Sequence, residues 1–587
     1  MKFRWSMAPP QPLLAGELAK ALRVSPLLAQ CLLNRGLRDP ALIDRFLEPR
    51  LKNLADPFLL PNMTRAVERL FAAHRLNELV VVFGDYDVDG VTSTALLLEV
   101  LRPLGWKVEY YLPHRIDEGY GLSTDAVENC LKKIPAKLLL AVDCGSTSVE
   151  TIKMIGNWGV DVIVLDHHQV SDPSPPALAL VNPQLGSSSI PKQPPGPSQD
   201  GKDFRELCSV GLAFKLAHAI LKHGREAGIP GAQEFDLRPL LDLVALGTIA
   251  DLVPLTGENR ILTAAGLSRL RTSKRPGLEA LKRVSQCQPN LGVHEVAFQL
   301  APRLNASGRL ESAEQSMDLL LAGNPADALS IAQKLDSQNR QRQTIERDIS
   351  KQVIEAVEAK FKPEVDFVII EGNSQWHIGV VGIVAARVLQ QFYRPTIIFG
   401  GDGEHWRGSG RSVPGFDLAE ALRNCGDLLV RHGGHAMAAG VTLEPRNLEA
   451  LCLRLNELAR QKFRTQELQP ELRLDAEVGL EEITIQSVAS LRKLHPLGQG
   501  NPALHFVARD MNHHRPLERL GAEKQHVKMW LTDGTTTHEA VWWGAGQESL
   551  PVGKFDVAFA PEINQYKGQS SVQLKVLDWR AAGHGLI

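Results

Sequence analysis

Apolar positions along the chain follow two patterns: short runs with few polar breaks, and longer stretches in which apolar residues recur every three or four positions. The runs at Leu79–Phe83, Lys107–Leu112, Lys137–Val142, Asp161–Leu165 and Ala177–Val181 have strand composition, and the segments between them are long enough for crossover helices. That alternation predicts an α/β fold built on a parallel, doubly wound sheet. Ahead of it, Ala15–Leu70 reads as helical with proline breaks. Behind it, the Pro/Ser/Gly-rich stretch Gly186–Gly201 reads as a surface loop, and a mainly helical region runs to Pro325. Asp327–Phe361 then holds a helical pattern almost without breakers and carries Asn339, Arg340 and Arg342; a long polar helix of this kind commonly bridges domains. Strand-like runs resume at Asp366–Ile370 and Pro395–Phe399, giving a second α/β domain to Phe463. Leu472–Trp579 is rich in short strand patterns with Gly, Asn and Pro punctuation, and predicts a small β-barrel. The expected domain limits are 1–70, 71–325, 326–362, 363–464 and 465–587.

Length supports this division, because 587 residues exceed what one core organises. Charge narrows the choices less: 65 Lys+Arg against 67 Asp+Glu give no global basic signal, so any contact with nucleic acid must use local patches. Seven cysteines without CxxC spacing fit reduced thiols. With no apolar signal-peptide core at the N-terminus and no run of 18 apolar residues, the expectation is a cytoplasmic protein with no membrane association.

Candidate chemistry concentrates where the apolar runs end. VVVFGDYDVDG (Val80–Gly90) places Asp85, Asp87 and Asp89 at alternate positions, and on extended backbone all three would face one side. Carboxylates this close repel one another unless cations share them. Half a calcium-binding EF-hand loop has the same spacing, but its twelfth position is Leu96 here and the preceding segment looks like a strand. Asp143 closes LLLAVD, and Asp166-His167-His168 close VIVL; one of two adjacent histidines is expected to coordinate metal and the other to meet substrate. In DLVALGTIADLVPL, opened by Asp242, Asp251 sits in an apolar surround that calls for a cation or a hydrogen-bonded partner, although a helix or turn cap is an alternative. Ligands of doubly wound sheets bind beyond the carboxyl ends of the strands, where these residues fall.

DYDVDG (Asp85–Gly90), VDCG (Val142–Gly145), DHH (Asp166–His168) and the aspartate of GTIADLVPL together resemble the four motifs of the DHH phosphoesterase superfamily. GSGRS (Gly408–Ser412) and HGGHAMAAG (His432–Gly440) resemble its associated domain. The resemblance covers nearly the whole chain and implies the branch that degrades single-stranded DNA from the 5′ end in recombination and repair. It implies Asp87, Asp89, Asp143, His167 and Asp251 as metal ligands, with Asp85 beside them as a further ligand or an acceptor behind them. His168 would face the scissile phosphate, and Asp166 would orient its neighbours. An oxygen set with one imidazole suits Mn2+ or Mg2+, and two such ions can activate a shared water while holding the phosphate. Arg115, Arg303, Asn305, Arg309, Ser409, Arg411 and His435 are the expected substrate contacts, with guanidinium groups positioned for bidentate phosphate binding. The resemblance further implies a monomer at the nucleoid, working with a single-stranded-DNA-binding protein and a RecQ-type helicase.

The C-terminal segments HPLGQGNP (His495–Pro502), HVKMWL (His526–Leu531), VWWG (Val541–Gly544) and NQYKGQ (Asn564–Gln569) mix aromatic, lysine and glycine residues as an oligonucleotide-binding fold does, with Tyr566 and Lys567 as candidate contacts. His495-Pro496-Leu497-Gly498 departs from the relatives' usual Pro-Phe-Gly. Two other readings use the same motifs: a superfamily hydrolase of short RNA, cyclic dinucleotides or pyrophosphate, and a non-catalytic replication scaffold. The barrel separates the first and the intact carboxylate set the second.

Overall fold

A computed structural model describes residues 2–115, 117–119, 121–185, 204–401, 403–463, 468–566 and 568–583. The Gly186–Gly201 stretch and Lys567 lie outside the described residues, as does the side chain of Tyr566.

Two compact units divide the chain, the larger made of Trp5–Leu335 and Leu472–Ile587 and the smaller of Asp336–Glu471 with Lys2–Arg4. In the larger unit the five expected runs form strands β1 (Val80–Phe83), β2 (Val108–Tyr111), β3 (Leu138–Val142), β4 (Asp161–Leu165) and β5 (Ala179–Val181). All pairings are parallel, in the order β2-β1-β3-β4-β5. Every residue of β1 and β3 is buried, which is why these runs lack a polar alternation. Successive residues serve opposite cores: Val80, Val82, Leu138 and Leu140 pack on one face, and Val81, Phe83, Leu139 and Ala141 on the other. The winding direction reverses between β1 and β3, so their carboxyl ends border the crevice where such sheets bind ligands.

Helices α1 (Val88–Leu101), α2 (Ser209–Glu226) and α3 (Leu241–Ala250) cover one face and are almost wholly buried. Further along, α4 (Ala301–Leu310) follows a π-turn at Val296–Leu300, and α5 (Pro325–Glu358) runs 34 residues, crossing from the larger unit's residues into the smaller's.

The C-terminal segment forms a seven-stranded sheet whose additional pairing, Asn512 with Thr532 and His513 with Leu531, joins Phe506–His513 to His526–Thr532 as barrel closure requires. Its core includes Leu28, Leu32 and Ile43 from the N-terminal helices, which pack on the barrel, whereas Met63, Val67 and Leu70 belong to the core of the parallel sheet. The smaller unit holds a five-stranded mixed sheet with Trp406–Arg411 at its centre, flanked by Ala438–Leu443 and Thr396–Gly400. No helix among the described residues is long and apolar enough to cross a membrane.

Candidate metal centre

Strand alternation does not align the three aspartates of the first motif. β1 ends at Phe83, and the chain turns at once into α1, so Asp85 lies in the connecting turn and Asp89 in the first helical turn. Asp87 is the N-cap of α1: its Oδ1 accepts from the N–H groups of Asp89 (2.9 Å) and Gly90 (3.1 Å). The turn is tight enough that a Cβ on Gly90 would lie 2.6 Å from the backbone N and O of Asp85. Helix capping and a glycine contact, rather than a pleat, thus bring these carboxylates to one place.

The other motifs converge on the same crevice. Asp143 follows β3 in the left-handed region at φ 65°, a conformation that turns its carboxylate out of the strand direction. One carboxylate oxygen of Asp85, Asp87 and Asp143 each fall within 4.8 Å of one another. Asp143 also groups with His167 and His168, and Asp89 with Asp251 and the thiol of Cys208. Asp251 is the C-cap of α3. Its Oδ2 lies 3.5 Å from Nε2 of His167, which lies 3.6 Å from Oδ1 of Asp143. Neither His167 Nε2 nor Asp251 Oδ2 has a hydrogen-bond partner, although both atoms are buried. Burial and the neighbouring charge of His168 lower the pKa of His167 to about 4, so its imidazole is neutral and offers a lone pair.

The carboxylates are poised for a cation. Burial and the charge of Asp87 raise Asp85 and Asp89 to about 7, burial and the charge of Asp89 raise Asp251 to about 9, and the same two causes raise Asp143 well above the usual carboxylate range. Divalent ions would satisfy converging buried acceptors such as the unpartnered His167 Nε2 and Asp251 Oδ2 together with the neighbouring carboxylates, and this donor set fits that role. Asp166 is built differently. Burial opposes its charge, but the bond from His168 holds it well below the ordinary value, aided by the charges of both histidines and by Ser146. Its oxygens accept from the backbone N–H groups of Ser146, His167 and His168, and Oδ1 lies 2.7 Å from His168 Nδ1. Burial works against charge on His168 too, yet Asp166 raises that imidazole to about 9.

Sequence reasoning missed the start of α2. Ser209 N–H and Val210 N–H donate to the two oxygens of Asp89 at 2.7 and 2.8 Å, and Ser209 Oγ donates to Asp143 Oδ1 at 2.8 Å. The N-terminus of an 18-residue helix, favourable to anions, therefore anchors the acidic cluster. The available signal was a helical run, SVGLAFKLAHAI, opening on a serine. Asn182 was missed as well: it donates to Ser146 Oγ and to the His168 carbonyl, tying the DHH turn to β5. Asp242 stands apart from the cluster, bound by Ser273 Oγ and close to Arg275.

The chain matches the family model for the DHH family, N-terminal domain, over residues 79–248, the DHHA1 domain over 365–461 and the RecJ OB domain over 474–578. It is 35% identical over 583 residues to the single-stranded-DNA-specific exonuclease RecJ of Bacillus subtilis (strain 168), covering 98% of this chain and 71% of that one. Identity to RecJ of Escherichia coli (strain K12) is 34%, covering 94% and 95%. The chain belongs to the RecJ family. A crystal structure of RecJ from Thermus thermophilus in complex with Mn2+ superposes with a TM-score of 0.83 at 30% identity, covering 99% of this chain and 80% of that one.

Within this RecJ-family chain the expected substrate residues divide between the two units. In the larger, the Arg115 guanidinium lies 5.0 Å from the centre of the Tyr86 ring, on the first motif. Asn305 accepts from Val88 N–H at 3.1 Å, which braces the start of α1, and Gly308 packs so closely that a Cβ there would lie 2.7 Å from the Tyr86 carbonyl. Arg303 donates to the Gln299 carbonyl, and Arg309 lies in the last turn of α4. In the smaller unit, Arg411 donates to Ser409 Oγ (3.0 Å) and to the Gly410 carbonyl (2.8 Å), while His435 is exposed at the end of its strand.

Proposed function

We propose that this chain is a metal-dependent exonuclease that degrades single-stranded DNA from its 5′ end to mononucleotides. The observation that carries the reading is the convergence of Asp85, Asp87, Asp89, Asp143, His167 and Asp251 at the sheet's switch point, where the buried His167 Nε2 and Asp251 Oδ2 lack a hydrogen-bond partner. The substrate class is supported by the relatives, named as single-stranded-DNA-specific exonucleases, and the metal by RecJ structures in complex with Mn2+ and with Mg2+.

Asp87, Asp89, Asp143, His167 and Asp251 would hold the ions, with Asp85 adding charge to the same cluster. Bound there, divalent cations acidify a water and offset the charge of the phosphodiester. The protein's own groups complete the site. His168, kept protonated through Asp166, directs its other ring nitrogen to a phosphate oxygen and neutralises charge there. Asp166 in turn fixes the backbone of both histidines by accepting their N–H groups. In the larger unit Arg115, Arg303, Asn305 and Arg309 are substrate contacts; in the smaller unit Ser409, Arg411 and His435 are, and the paired Arg411 and Ser409 take a phosphate. Barrel aromatics stack on bases. In domain terms, catalysis belongs to 71–325 and strand binding extends through 363–464 and 465–587. The same reading assigns a monomer at the bacterial nucleoid, with a single-stranded-DNA-binding protein and a RecQ-type helicase as partners.

The test uses purified protein stripped with EDTA and given Mn2+, with single strands labelled at either end and a blunt duplex. Mononucleotide release from the 5′ end of single strands, absent with Asp143→Ala, is the expected result. Failure to release any product from a 5′ end sinks the proposal.

A further inference from the structure

The loop that follows Asp251 is held by the barrel. Asp251 caps α3, Leu252 adopts a left-handed φ of 59°, and three residues later Leu255 N–H donates to the Gln499 carbonyl at 2.7 Å. Gln499 lies in HPLGQGNP, the loop that precedes the barrel strand Phe506–His513. Both glycines beside Gln499 are close-approach positions: a Cβ on Gly498 would lie 2.8 Å from Leu255 Cδ1, and one on Gly500 would lie 2.8 Å from Pro254 Cβ.

Arg260, only 2% exposed, secures that loop from the catalytic side. Its guanidinium donates to the carbonyls of Leu494 and His495 at 2.9 and 2.8 Å, to those of Lys493 and Pro496 at longer range, and to Phe46 O at 2.8 Å. Asn259, its neighbour, donates to the Pro254 carbonyl at 3.0 Å and to the carbonyl of Glu206, close to the start of α2 that anchors Asp89 and Asp143. The contacts form one path from barrel backbone through Leu255, Pro254 and Asn259 to both sides of the acidic cluster.

We infer that the HPLGQGNP loop, clamped by Arg260, is a positioning element for Asp251, so that the barrel sets the affinity of the catalytic unit for its divalent ion as well as binding DNA. The inference rests on the metal-binding role proposed above for Asp251. Groups that orient ligands without touching the ion commonly change its affinity about 10–100-fold. The far end of the Asp251 loop is held by the Leu255 N–H bond to Gln499 and by the Asn259 bond to the Pro254 carbonyl, so a shift of the barrel loop at Gln499 is passed on toward Asp251.

Mn2+ binding to the full-length, EDTA-stripped protein, read as loss of the free-ion electron paramagnetic resonance signal, measures this without turnover. Gly500→Ala pushes a methyl at Pro254 and strains a φ of 71°. Gly534→Ala, elsewhere in the barrel, imposes comparable strain at φ 98° with nothing within 4 Å. Gly500→Ala is expected to weaken Mn2+ binding about 10–100-fold, to recover turnover at excess Mn2+, and to melt with Gly534→Ala, which binds Mn2+ as the parent does. Arg260→Lys, which keeps the charge but not the fan of carbonyl contacts, should weaken Mn2+ in the same sense and serves if Gly500→Ala does not fold. Parent-like Mn2+ affinity in Gly500→Ala or Arg260→Lys, or equal weakening in Gly534→Ala, overturns the inference. A parent protein that binds no Mn2+ overturns instead the metal reading beneath it.

Discussion

Asp251→Asn should make the metal-free protein more stable while removing its response to metal. Burial and the charge of Asp89 raise this carboxyl from 3.8 to about 9. A group whose folded pKa exceeds its unfolded value contributes stability that is complete below the unfolded pKa and is lost as pH rises toward the folded one. By about pH 8 some four pH units of that window have been crossed, and at about 1.4 kcal/mol per unit the carboxyl costs the fold about 5–6 kcal/mol. Asparagine carries no charge but leaves a buried amide to satisfy, at about 1–3 kcal/mol. The net gain is about 3 kcal/mol, or about 3–6 °C in the melting midpoint for a unit of this size. Near pH 5.5 the carboxyl costs only about 2 kcal/mol, and the two effects cancel. Melting in EDTA at both pH values, followed by melting at pH 8 with Mn2+, is the assay. The parent should gain about 2.7 kcal/mol at a hundredfold excess of Mn2+ over its dissociation constant, and the variant nothing. A variant less stable than its parent at pH 8, or equally stabilised at both pH values, would refute the account of Asp251 as a buried carboxylate awaiting a cation.

Gly90→Ala forces a methyl against the Asp85 backbone 2.6 Å away, so the fold should survive by circular dichroism while turnover falls about a hundredfold from displaced carboxylates. Asp166→Ala strips three backbone N–H groups and His168 of their acceptor; urea titration should register a loss of about 3 kcal/mol or more, together with loss of nuclease activity. Arg411→Ala should raise KM for 5′-phosphorylated single strands about tenfold or more while Mn2+ binding stays unchanged, because its partners Ser409 and Gly410 lie outside the metal cluster. Replacing Ser209 by Ala removes one bond to Asp143 but leaves both N–H donors to Asp89, so Mn2+ affinity measured by paramagnetic resonance should drop less than for Asp143→Ala.

Much of this protein was written locally. The apolar runs became parallel strands, and those inside the sheet are almost free of polar residues because they are buried on both faces, whereas the edge strand β2 keeps Glu109 exposed. Asp143, His167 and Asp251 were legible as ligand candidates because a carboxylate or imidazole closing an apolar segment must find a partner. What the chain could not reveal locally was how Asp85, Asp87 and Asp89 reach one place. Strand alternation was the expectation; the structure uses an N-cap, a helical turn and a glycine contact, and the same spacing serves either geometry. The donors from Ser209 and Val210 lie about 120 residues from Asp89, and no periodicity links them. The hold of the barrel on the Asp251 loop is more distant still, a bond between backbone groups at Leu255 and Gln499 that any pair of residues could make. Residue order was therefore enough to set the strands, the acidic residues and their succession, since burial and charge act on each residue type wherever it sits. Only the folded chain decided which backbone donors hold those acids, and which distant loop steadies them, because main-chain groups are the same in every residue and carry no signal until the fold brings them together.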